Sequence, residues 1–143
     1  MLKDVPPHLA RLAADCLDQA AQTCRSSRDL AAAIERACAS LTRHLGRRLS
    51  GQRAQALLVL GLALARADCP VLVDLEATPD GRLPALAAAL GGCPLDEVHA
   101  ALVALLAHTL ALIATLEGDA AATRAGRVLV CAAARPKRST RPT

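Results

Sequence analysis

Histidines and acidic residues are the side chains of this sequence that could bind a metal ion. His99 and His108 lie nine residues apart in one apolar stretch, which is about 900° of α-helix and places them on opposite faces. Asp96 and His99 have the carboxylate-x-x-His spacing of bundle di-iron ligands, but such sites need a second pair. Neither His8 nor His44 supplies one. We therefore predict no metal site.

His108 is the polar residue with the most apolar sequence surroundings. It falls in the middle of the apolar stretch, on a helix face that it shares with Ala104 and Ala111. We expect a neutral, buried histidine that hydrogen-bonds to a backbone carbonyl. The alternative is a pH-responsive residue, because histidine changes charge between about pH 5 and pH 8.

Serine and cysteine are the candidate nucleophiles, and neither occurs in a catalytic pattern. Most of the five serines fall at expected helix caps or in the C-terminal tail. The sequence has no G-x-S-x-G motif, P-loop or G-x-G-x-x-G motif, and nucleophilic catalysis needs a nucleophile, a base and an orienting group together. We predict that the chain is not an enzyme and has no catalytic residue and no cofactor.

The six cysteines show no C-x-x-C spacing. The first fifteen residues hold charges and two prolines where a signal peptide would be apolar, so we expect a cytoplasmic protein with reduced thiols. Cysteine commonly packs as a small hydrophobe, and we expect that role here. The alternative is a thiol-based sensor or a small-ligand-binding helical protein.

Arginines are the candidate phosphate-binding residues. Residues 25–66 carry a net charge of +6, and residues 67–119 carry −7. The candidate phosphate contacts are Arg43, Arg47, Arg48 and Arg53, together with the basic tail at 135–143. Such cations could bind nucleic-acid phosphates without sequence preference. They could equally pair with the acidic segment, within the chain or across a dimer, or form a solvated face.

The composition excludes one class of ligand contact. Phe, Tyr and Trp are absent, so the chain has no aromatic platform on which nucleic-acid bases could stack. The bias towards Ala, Gly, Pro and Arg is typical of proteins from GC-rich bacterial genomes, and we attribute the absence of aromatic residues to codon usage. Its consequence is a core built from Leu, Ala, Val and Cys.

The hydrophobic periodicity predicts helices joined by short connections. We expect helices at 8–25, from 28, at 52–67, at 95–117 and at 119–134, with a short helix from Pro84 to Gly91. Ser26 and Ser50 are the predicted caps of the second and third helices. We assign residues 1–134 to one domain, made of basic helices (28–67), a connector (68–83), an acidic half (84–118) and a last helix (119–134). A disordered basic tail (135–143) follows.

The segment at 95–117 is predicted to be the central helix. Its window 98–116 is nearly long enough to span a bilayer, but acidic residues flank both ends, so we predict no membrane span. Three of its helix faces are apolar, which places it at the centre of the fold or in a subunit interface. The interface candidates are Leu102, Leu105, Leu106, Leu110, Leu112 and Ile113.

Together these patterns predict an all-α fold, a bundle of five to six helices around the helix at 95–117 with no significant sheet. The expected function is a non-enzymatic helical interaction or regulatory module of a bacterial cytoplasm. We expect it to act as a homodimer through apolar Ala/Leu helix faces, or to bind another helical protein. A nucleic-acid-associated protein and a thiol-based sensor are the alternatives.

Overall fold

The protein was characterised as a computed structural model that describes residues 5–73, 75, 78, 83 and 86–134. These residues form six α-helices and one short 3-10 turn at Pro70–Leu72, with no strand among them, and the all-α prediction is confirmed. The helices are α1 (Pro7–Ala21), α2 (Ser27–Arg48), α3 (Gly51–Asp68), α4 (Leu86–Leu90), α5 (Leu95–Glu117) and α6 (Asp119–Ala134).

The helix starts follow the predicted caps. Ser26 Oγ accepts a hydrogen bond from the Asp29 amide at 3.1 Å, and Ser50 Oγ accepts one from the Arg53 amide at 3.1 Å. Each hydroxyl thereby satisfies one of the amides that have no partner inside the helix. These two caps fix where α2 and α3 begin, so the turn between them needs only Leu49 and Ser50.

The predicted boundaries need three corrections. The first helix ends at Ala21 instead of 25, and α3 runs to Asp68, one residue beyond its predicted end. Among the described residues the short helix covers Leu86–Leu90 and so ends one residue before its predicted end at Gly91, while its predicted start at Pro84 lies outside the described residues. Seven of the sixteen residues of the connector at 68–83 and the whole tail at 135–143 also lie outside them.

α5 is the central helix of the bundle. It packs against α1, α3 and α6 along its length and contacts α2. Because neighbours surround it, Leu102, Leu105, Leu106 and Leu110 are fully buried inside the chain. α5 is long and apolar enough to cross a membrane by length and composition, yet 61% of its most apolar window is buried within the bundle. Its hydropathy is that of a core helix.

The directions of the helices follow from contacts along them. His8 lies 3.8 Å from Asp119, and further along the same helix the Cys16 thiol donates to the Leu129 carbonyl at 3.4 Å. α1 therefore runs parallel to α6. α5 runs opposite to α6, and the reversal between them is made by Gly118, whose φ of 97° lies in the region that favours glycine. The C-terminal ends of α2 and α5 thus meet the N-terminal end of α6.

α3 lies close against α5 at Gly61. A Cβ atom at this position would lie 3.1 Å from Thr109 Cα and would overlap Thr109 Oγ1. That hydroxyl is buried and donates to the Leu105 carbonyl at 2.8 Å, so it cannot rotate away without losing its partner. Glycine costs about 1 kcal/mol relative to alanine inside a helix, and here it allows two helix backbones to pack closely.

We predict that Gly61→Ala lowers the free energy of unfolding by roughly 1–3 kcal/mol, because overpacking a tight contact costs about that much. Gly46→Ala is the matched control, since a Cβ atom there would meet no atom within 4 Å. The control should gain up to about 1 kcal/mol from helix propensity. Urea denaturation should be followed by circular dichroism, because the chain has no tryptophan or tyrosine to report by fluorescence. If both variants are stabilised alike, the close contact between α3 and α5 does not exist.

Candidate functional site

α3 presents an apolar stripe to solvent. Its six residues recur at spacings of three and four and are all exposed: Ala56, Val59, Leu60, Ala63, Leu64 and Ala67. We call this stripe the α3 outer face. Half of the Leu60 side chain is exposed, and Val59 and Leu64 are exposed at 41% and 45%. The stripe covers about 16 Å of helix at 1.5 Å per residue, and no charged or polar residue interrupts it.

The local sequence explains why this face is left uncovered. The run from Ala56 to Ala65 is apolar on every side of the helix. Its inner side, which includes Leu58, Leu62 and Ala65, is buried where α3 packs on α5 and α2. The described helices cover α3 from that side only, so the remaining apolar residues face outwards. Polar residues normally cover the outer face of a surface helix, and their absence makes the α3 outer face a candidate interaction surface.

The predicted interface residues on α5 lie elsewhere. Leu102, Leu105, Leu106, Leu110 and Ile113 are fully buried by the chain's own helices, and Leu112 is partly buried. The sequence placed α5 either at the centre of the fold or in a subunit interface, and the structure places it at the centre of the fold. These six residues pack within the chain, whereas the described helices leave the side chains of the α3 outer face exposed. Sequence periodicity missed this face because α3 and α5 are both apolar all round.

His108 has a different partner from the one expected. Its Nε2 atom lies 2.9 Å from Asp68 Oδ2, at the C-terminal end of α3. The expectation of a backbone carbonyl was therefore wrong. The two side chains are only 10% and 20% exposed, so this polar contact is held between α3 and α5 largely away from water. A role in pH response stays a prediction, with Asp68 as the residue through which it would act.

The other histidine–carboxylate contacts are looser. His99 Nε2 lies 3.6 Å from Asp18 Oδ1, and both side chains are substantially exposed. Among the residues that the structure describes, no group of three or more His, Cys, Asp or Glu side chains could hold a metal ion. The expected absence of a metal or cofactor stays a prediction.

The four candidate phosphate-binding arginines are all exposed. Arg43, Arg47 and Arg48 lie in the last two turns of α2, and Arg53 lies in the first turn of α3. Arg43 donates a hydrogen bond to Ser40 Oγ at 3.1 Å. None of these arginines forms an ion pair with a described carboxylate of the acidic segment. Intrachain pairing between the two segments is therefore not seen in the described part of the chain.

The cysteines divide by burial. Cys16 and Cys38 are fully buried, Cys24, Cys69 and Cys93 are half-buried, and Cys131 is exposed on α6. Burial raises the pKa of Cys16 to about 12 and also raises the pKa of Cys38. The reactive form of cysteine is the thiolate, so the two core thiols serve packing. Cys131 is the most exposed of the six cysteines.

Comparisons with protein-family models, with curated proteins and with solved structures give no match. The function must therefore be argued from the surfaces of the chain itself.

We predict that Cys131 reacts first with iodoacetamide in the native protein. Cys16 and Cys38 should react at least about a hundredfold more slowly, because their thiols become accessible only when the bundle opens. Mass spectrometry of peptides from timed samples measures the order, and labelling in urea supplies the unprotected rates. Alkylation of either core cysteine as fast as Cys131 would show that these thiols are not buried.

We also predict an energetic coupling between Asp68 and His108. A double-mutant cycle with Asp68→Asn and His108→Gln should give an interaction of about 0.5–3 kcal/mol, as is usual for contacting polar residues. The matched control is the exposed pair Asp18 and His99, changed in the same way, which should give well under 1 kcal/mol. Urea denaturation gives both values, and equal couplings would contradict the role of burial.

Proposed function

We propose that this chain is a non-enzymatic helical interaction module that forms a homodimer through the α3 outer face. The observation that carries the proposal is the exposed apolar stripe on α3, three turns long and without a charge. Leaving Val59, Leu60 and Leu64 in water costs free energy, and burying them recovers about 25 cal/mol per Å² of apolar surface. A partner with an apolar helix face would therefore bury these side chains, which the described helices of the chain leave exposed.

A second copy of the chain fits this face by shape. The stripe alternates small residues, Ala56, Ala63 and Ala67, with larger ones, and small residues allow two helices to approach. In an antiparallel pair about a two-fold axis near residues 60–63, Ala56 of one copy faces Ala67 of the other. Such an interface uses the same residues on both copies, as two-fold interfaces do.

The charges at the ends of α3 favour the antiparallel arrangement. Arg53 is exposed in the first turn, at the N-terminal end of the outer face. In an antiparallel pair it lies beside the C-terminal end of the partner helix, where the backbone carries partial negative charge. In a parallel pair the two Arg53 side chains would lie together and repel.

The size of the face sets the expected strength of the dimer. Stable interfaces bury about 800 Å² on each partner, and a stripe about 16 Å long on a single helix offers less than that. We therefore expect reversible association at micromolar concentrations. A helical partner protein would use the same face, so the chain can serve as a module whose self-association competes with other partners.

The test is sedimentation equilibrium over a concentration series, read by interference optics because the chain lacks aromatic residues. The parent should change from monomer to dimer, and Leu60→Lys should weaken the dimer at least about tenfold, a change of about 1.4 kcal/mol. Leu116→Lys is the matched control: Leu116 is 62% exposed but lies at the end of α5, so its variant should dimerise like the parent. A parent that stays monomeric throughout, or equal weakening in both variants, would refute the homodimer.

The second candidate function is contact with nucleic-acid phosphates. It rests on the exposed Arg43, Arg47, Arg48 and Arg53, grouped around the turn between α2 and α3 and unpaired with described acidic residues. The two candidates differ in their response to salt. Phosphate contacts release counterions, so that affinity falls steeply with ionic strength, whereas a dimer held by apolar side chains is little affected.

A further inference from the structure

A cleft lies where the C-terminal ends of α2 and α5 meet the N-terminal part of α6. Its volume is about 90 Å³. Its polar lining comes from three helices: His44 and Arg48 from α2, Glu117 from α5 and Arg124 from α6. Leu45 and Ile113 are among the apolar residues that line the rest of it. We call it the α2–α5–α6 cleft; none of its lining residues belongs to the α3 outer face.

The cations of this cleft have no partners in the described part of the chain. Neither Arg48 nor Arg124 forms a hydrogen bond or an ion pair there, and Glu117, although it lines the same cleft, lies within ion-pair distance of neither. Two arginines and one glutamate therefore line a common space without an ion pair among them. Arg47, next to Arg48, adds a further positive charge close by.

The pKa of His44 reflects the same excess of positive charge. Burial lowers the pKa of His44, and Arg48, Arg47 and Arg124 lower it further. Because the pKa of the folded state lies below that of the unfolded chain, His44 is neutral at pH 7. Protonating it opposes folding as the pH falls through the ordinary histidine range. A neutral imidazole keeps one nitrogen as a donor and the other as an acceptor.

The volume of the cleft limits the ligand. It exceeds the roughly 30 Å³ that one water molecule occupies in the liquid, but it is far below the roughly 300–1,000 Å³ of sites for drug-sized molecules. A tetrahedral oxyanion fits such a space, and a whole nucleotide does not. Guanidinium groups suit this ligand because their planar forks donate two parallel hydrogen bonds to phosphate oxygens.

We propose that the α2–α5–α6 cleft binds phosphate, either as the free ion or as the phosphoryl end of a small monoester. Arg48 and Arg124 bind its oxygens from two different helices, and His44 donates a further hydrogen bond. Glu117 selects among oxyanions: phosphate keeps an O–H group that can donate to this carboxylate. Sulfate has no such proton and would place its charge against Glu117 without a compensating hydrogen bond.

The proposal is tested by calorimetric titration of the full-length protein with inorganic phosphate at low ionic strength. The parent should bind in a saturable manner, and Arg124→Gln and Arg48→Gln should each weaken binding at least about tenfold. Arg127→Gln is the matched control, because Arg127 lies one turn further along α6 and does not line the cleft; it should bind within about twofold of the parent. Absence of saturable binding by the parent, or equal loss in the Arg127 variant, overturns the site.

Three further measurements address the ligand and the residues. The pKa of His44, followed by NMR of its ring, should rise when phosphate is added, because a bound anion offsets the charges of Arg47, Arg48 and Arg124. An unchanged pKa would mean that the ion binds elsewhere.

Sulfate should bind at least about tenfold more weakly than phosphate, and Glu117→Gln should reduce that difference. Equal binding of both ions by the parent overturns the role of Glu117. Titration with glycerol phosphate distinguishes a phosphate monoester from the free ion as the ligand. If glycerol phosphate binds as tightly as phosphate, the ligand is a monoester; if it does not bind, the ligand is the free ion.

Discussion

The close approach of α3 to α5 is the contact on which the rest of the structure depends. A core without aromatic side chains has to fill its volume with Leu, Ala and Val, so its helices must lie close together to remove the same apolar area from water. Gly61 makes this possible by allowing the α3 backbone to rest on Thr109. The same pair of helices is joined by the contact between Asp68 and His108, so apolar packing and a largely buried polar pair act on one interface.

This arrangement determines which apolar surface remains uncovered. α5 uses its apolar faces against α1, α3 and α6, and the leucines in its middle, Leu102, Leu105, Leu106 and Leu110, are fully buried by the same chain. α3 is also apolar all round, but it packs on α5 and α2 from one side only. The exposed apolar surface whose burial could drive association is therefore on α3. If the chain is the interaction module proposed above, it keeps its most apolar helix, α5, inside the bundle and uses the exposed side of α3 for partners.

Positively charged side chains cluster at the end of the bundle where α2 and α5 end and α6 begins. Arg47 and Arg48 lie in the last turn of α2, where cations complement the negative end of the helix dipole. The fold then brings Arg124 from α6 to the same place. The result is a concentration of positive charge around a small cleft, and burial together with this charge lowers the pKa of His44. Because the α3 outer face and this cleft share no residue, association and anion binding can operate independently.

Much of the fold could be predicted from local sequence because its signals are short-range. Ser26 and Ser50 mark helix starts through hydrogen bonds to residues three positions on, and Gly118 marks the reversal between α5 and α6. Hydrophobic periodicity identified α5 as a helix buried on several sides. Each of these features depends on neighbours within a few residues along the chain.

What only the tertiary structure decided concerns residues far apart in the sequence. The sequence predicted α5 as the central helix, but it did not show which side of the other strongly apolar helix, α3, would stay uncovered; packing left the α3 outer face exposed. The partner of His108 is forty residues away, and Arg124 joins Arg48 across a gap of seventy-six positions. The sequence by itself thus determined the helices, their caps and the composition of the core. The tertiary structure decided which faces and charges meet, because those choices depend on how all the helices share one limited interior.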